Sequence, residues 1–75
     1  MAAKLPVVSG REAVKVFTKA GWKFVRQKGS HAILTRPGMK QTLAVPQHKE
    51  LAKGTLAALV KDAGLTADQF QKFLK

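Results

Sequence analysis

Apolar residues recur along the chain with two different periods. Ala13, Val16, Phe17 and Ala20 sit at i, i+3, i+4 and i+7, the spacing of one buried helix face. Ser9-Gly10-Arg11-Glu12 precedes them as a capping box, a serine N-cap with a glutamate three residues on. The predicted helix runs to about Ala20, and Gly21 closes it as a left-handed C-cap. Leu56, Leu59, Val60 and Ala63 repeat the spacing on a second helix that starts near Lys53-Gly54-Thr55 and ends at Gly64. Thr66-Ala67-Asp68-Gln69 is a second capping box, with Leu65 placed to staple onto Phe70. Phe70, Phe73 and Leu74 give a short terminal helix its apolar edge.

Between the first two helices the pattern changes to short strands divided by turn residues. Trp22 to Lys28, His31 to Arg36 and Gln41 to Val45 read as strands, the third ended by Pro46. Gly29-Ser30 is a two-residue hairpin signal, because glycine takes a positive φ without steric cost. Pro37-Gly38 is a turn in which proline presets φ and glycine again takes the positive value. The expected fold is therefore α+β, ordered α-β-β-β-α(-α), with a three-stranded antiparallel sheet. Trp22, Phe24 and Ile33 share one predicted sheet face, and Val25, Ala32 and Leu34 the other. Both sets are apolar; the larger volumes favour the first as the helix-covered face. Residues 1–8 form a lead, extended at Leu5-Pro6-Val7-Val8, and Gln47 to Lys53 a polar connection.

A chain of 75 residues is expected to make one domain with a small core. Cysteine is absent, which excludes disulfides and thiolate metal sites. No apolar run approaches membrane length and Met1 to Gly10 has no signal-peptide core, so a soluble cytoplasmic protein without membrane contact is expected. Charge changes the picture most. Fourteen Lys and Arg against four Asp and Glu leave a net charge of +10, a field that attracts polyanions, RNA among them.

The chemistry-bearing residues gather at the first hairpin. If Lys28 pairs with His31 across the turn, Arg26 pairs with Ile33, and all four share a face. An imidazole gives and takes protons near neutral pH. RNA carries its own nucleophile, the 2′-hydroxyl, so cleaving it needs a base, an acid and cations beside the phosphate. His31 could supply the proton transfer and Arg26 and Lys28 the cations. Gly29 and Ser30 would contact phosphate, or Ser30 would orient the ring. Position and neighbours alone also fit a surface strand histidine, or one that makes a single structural hydrogen bond. His48, beside Lys49 in the connection after the third strand, is either a second proton-transfer or phosphate-binding group or an exposed loop histidine. Lys53 and Thr55 flank Gly54 where a helix N-terminus could receive phosphate, although the glycine spacing of a P-loop is missing. Two histidines and scattered acids make no complete zinc site, and no cofactor or metal is expected. Trp22 belongs in the core or stacks on a base, and Arg11, Lys15 and Lys19 read as a solvated helix stripe.

Gly21-Trp22 through Val25-Arg26-Gln27-Lys28-Gly29-Ser30-His31 resembles the HicA (YcfA-like) toxins of bacterial toxin–antitoxin pairs. Val45-Pro46-Gln47-His48, Gly54-Thr55-Leu56 and Ala63-Gly64-Leu65 extend the likeness over about Ser9 to Leu74. The resemblance implies a fold similar to a double-stranded-RNA-binding domain, with helices on one face of the sheet. It also implies metal-independent cleavage of mRNA and a HicB antitoxin that binds and blocks the toxin. The family's catalytic histidine falls on His31, with Gly29 and Ser30 matching its neighbours; His48 matches a recurring position of open role. Lys53 departs from the family pattern, since proline precedes Gly-Thr in many members. The expectation is an mRNA endoribonuclease acting as a toxin in a stress response. The alternatives are a non-catalytic RNA-binding module and a basic protein that exists to meet an acidic partner. No helix-turn-helix with a basic second helix is evident, which argues against DNA binding.

Overall fold

The computed structural model describes residues 5–74. The elements run α1 (Gly10–Lys19), β1 (Lys23–Lys28), β2 (His31–Thr35), β3 (Leu43–Pro46), α2 (Lys53–Asp62) and α3 (Ala67–Leu74). The strands form one antiparallel sheet in the order β1-β2-β3. This is the α+β order expected from the sequence. Met1 to Lys4 of the predicted lead lie outside the described residues.

Local chemistry sets the helix ends. The Glu12 N–H donates to Ser9 Oγ (3.1 Å) and the Ser9 N–H to Glu12 Oε1 (2.9 Å), closing the capping box. Thr66 and Gln69 do the same for α3, at 2.9 and 3.2 Å. At the end of α1, Gly21 takes φ +105°; its N–H donates to the Thr18 carbonyl and the Trp22 N–H to the Phe17 carbonyl. That pair of bonds is a Schellman motif, which turns the residue after the glycine back onto the helix it ends. Trp22 is thus carried into the core beside Phe17, and β1 begins one residue later than the apolar pattern predicted. Gly64 ends α2 in the same way, with the Leu65 N–H donating to the Val60 carbonyl.

The core gathers Ala13, Val16 and Phe17 of α1, Leu56, Leu59 and Val60 of α2, and Phe70 of α3 against Leu34, Leu43 and Val45. Phe17 and Phe70 meet edge to face at 5.8 Å, a geometry worth roughly 0.5–1.5 kcal/mol beyond area burial. Lys19 Nζ donates to the Phe73 carbonyl (3.0 Å), placing a cation at the negative end of α3.

The volume argument chose the wrong sheet face. The helices cover the face bearing Ala32, Leu34, Leu43 and Val45, whereas Phe24 is 53% exposed. A register slip at Val25 also breaks the predicted grouping: Phe24 pairs with Leu34 on the helix-covered side, Arg26 with Ile33 on the other, and Val25 is the extra residue. Trp22, Phe24 and Ile33 therefore never form a common face. β1 is an edge strand whose residues are all exposed, so neither Phe24 nor Val25 is covered. β3 also begins later than predicted, and the connection read as polar contributes buried Leu51.

Candidate nucleic-acid interface

The hairpin turn fixes where the cations go. Gly29 takes φ +60°, the left-handed value required at the first central position of a tight hairpin turn. Register then pairs Lys28 with His31 and Arg26 with Ile33, as the sequence predicted. Directly opposed residues share a face, so Arg26, Lys28, His31 and Ile33 lie on the side of the sheet away from the helices. Arg26, Lys28 and His31 are all exposed, and Ile33 is half-buried. Among the described residues the His31 ring makes no side-chain hydrogen bond. Ser30 therefore does not orient that ring here. It is held through its backbone instead, its carbonyl accepting the Gln47 N–H at 2.7 Å.

That bond links the hairpin to the second histidine. β3 pairs Pro46 with His31, so Gln47 and His48 continue past the hairpin end of the sheet. The His48 carbonyl accepts the N–H of Gly10 (2.9 Å), and the Leu51 N–H donates to the Val8 carbonyl (2.8 Å). Gly10 is buried, and a Cβ there would meet the Pro46 carbonyl oxygen and lie 2.8 Å from Gln47 Cα. Only glycine allows this approach, so the start of α1 is pressed directly onto the segment that carries His48. Sequence reasoning missed this role for Gly10. The available signal was a poor helix former in the first helical position, with a partner far along the chain.

His48, Lys49, Ser9, Arg11 and Gln47 line an open depression at this end. Arg11, read from the sequence as part of a solvated stripe, is thus a neighbour of the His48 segment. Lys53 and Thr55 are exposed at the start of α2, whose N-cap Ala52 offers no side-chain acceptor. Lys53 lines a different, largely apolar groove with Leu5, Val7 and Leu56. The hairpin residues line neither of these two depressions. Trp22 is buried, which removes it as a base-stacking platform. Its indole N–H has no hydrogen-bond partner among the described residues. Among the described residues no three His, Asp or Glu side chains are grouped to hold a metal ion, and no helix is long and apolar enough to cross a membrane.

Fold and surface together define a small α+β protein that packs its helices on one sheet face and presents cations and an imidazole on the other. The chain matches the family model of the HicA toxin of bacterial toxin–antitoxin systems over residues 10–65, and it belongs to that family. A chain of the solved "Toxin-Antitoxin complex from Streptococcus pneumoniae" is similar to it, with 36% sequence identity and a TM-score of 0.70. The match covers 77% of this chain and 98% of that one. Among curated proteins none matches.

Proposed function

We propose that this HicA-family protein cuts mRNA as a metal-independent endoribonuclease, with His31 as general acid or base. The 2′-oxygen attacks the adjacent phosphorus as its proton leaves, and the bond to the 5′-oxygen breaks as that oxygen gains a proton. His31 performs one of these transfers. Arg26 and Lys28 offset the charge that builds on the phosphate oxygens. Gly29 and Ser30 at the turn, His48 and Lys49 beyond β3, and Lys53 and Thr55 at the start of α2 hold the RNA backbone. What supports the reading is above all the register that sets an exposed imidazole beside two exposed cations on one sheet face. The partners are mRNA and a HicB-like antitoxin, in keeping with the toxin–antitoxin complex among similar structures, and the setting is the cytoplasm.

The nucleophile gives the test. A single 2′-deoxyribose at the scissile nucleotide should abolish cleavage of a defined RNA while leaving its binding intact, and a chelator should leave cleavage of the all-ribose strand unchanged. Cleavage that survives the deoxy substitution would contradict the mechanism. Tight binding with no turnover of the all-ribose strand would favour a non-catalytic RNA-binding module.

A further inference from the structure

We infer that Arg11, His48 and Lys49 form a second phosphate site, which holds an RNA backbone phosphate next to the one at His31. The inference rests on the RNA-cleaving reading, which already gives His48 and Lys49 to the RNA backbone, and adds Arg11 and the depression that joins the three. Three of the depressions on the described surface differ from one another in charge. The first is mostly apolar and has Glu50 on its rim; the second carries Glu12 beside Lys15 and Lys19. Only the third has no acid, and its lining brings an arginine, a lysine and a histidine together with the polar Ser9 and Gln47. Glu12, the nearest acid in α1, is held on the Ser9 N–H. Among the described residues the side chains of Arg11, His48 and Lys49 make no hydrogen bond or ion pair, so their donors are available to a ligand.

The segments that line this depression are also tied together. Gly10 presses on Pro46 and Gln47, the Gly10 N–H holds the His48 carbonyl, and the Gln47 N–H holds the Ser30 carbonyl. One hydrogen-bonded run of backbone therefore joins the hairpin turn to the start of α1. That run passes round the end of the sheet, from the hairpin, whose Lys28 and His31 face away from the helices, to Arg11 on α1, and the bound phosphate chain would follow it. Arginine suits the task, since its planar fork donates to two phosphate oxygens at once.

The test is the binding of a 2′-deoxy-blocked RNA oligonucleotide, followed across salt concentrations, alongside kinetics on the cleavable strand. Each phosphate contact on a single strand contributes about 0.7 to the slope of log affinity against log salt. Arg11→Gln and Lys49→Gln should each flatten the slope by about that amount, weaken binding about five- to tenfold and raise KM with kcat within about twofold. The control is Lys40→Gln, an exposed lysine in the β2–β3 connection at the opposite end of the sheet. Slopes for Arg11→Gln and Lys49→Gln no flatter than that of Lys40→Gln would overturn the site. So would RNA binding left intact while capture of an acidic antitoxin chain is lost, which would give the cluster to the protein partner. Wild-type protein that binds the RNA but never cuts it would overturn the enzyme reading alone, with the slopes still deciding the site.

Discussion

The two faces of the sheet have the same backbone and opposite fates. One carries Ala32, Leu34, Leu43 and Val45, none more than 2% exposed, and takes the helices. The other carries Arg26, Lys28 and His31 in solvent, around half-buried Ile33 and Thr35. Strand alternation alone produces this division, since neighbouring residues of β2 point to opposite sides. Residues one position apart thus answer to different demands. Leu34 is held to the volume of the core, and His31 only to the chemistry of what lands on it.

If that separation holds, substitutions on the inner face should cost stability and those on the outer face function. The largest stability effect should come from Leu34→Ala, which leaves a cavity in a small core and should cost about 2–5 kcal/mol in denaturant unfolding. Gly10→Ala tests where the two faces are coupled. Its methyl has no room against Pro46 and Gln47, so about 1–3 kcal/mol should be lost, and RNA turnover should fall as the His48 segment shifts. Turnover unchanged in that variant would separate His48 from the site. Arg26→Gln and Lys28→Gln should each stay within about 0.5 kcal/mol of the wild-type stability while flattening the salt dependence of RNA binding. The smallest change is a gain. Ala52→Ser supplies the side-chain acceptor that α2 lacks at its N-cap, where the backbone is already extended, and should stabilise by about 0.5–1 kcal/mol without altering cleavage.

Signals that act over a few residues were legible in the sequence. Both capping boxes, the glycines that end α1 and α2 and the hairpin register from Gly29-Ser30 all follow from chemistry within one turn of chain. The pairing of Lys28 with His31 belongs to this class, because two residues of turn fix it. What could not be read depends on distant packing. The slip at Val25 is such a feature: it occurs in an edge strand that pairs with β2 alone, so no second strand holds the alternation in place. Trp22 misled for a related reason, since its burial comes from the helix end behind it and not from the strand ahead. The approach of Gly10 to Gln47 spans more than half the residues described, and nothing local marks Arg11 as a neighbour of His48.

The division between faces is tested most directly by His31→Ala, measured for RNA cleavage and for melting on the same preparation. The account predicts that the rate on a defined RNA falls about 10²–10⁴-fold, the share one proton-transfer group contributes. RNA affinity should persist and stability should move by no more than about 0.5 kcal/mol. Cleavage at the wild-type rate, or a variant that fails to fold, would contradict it.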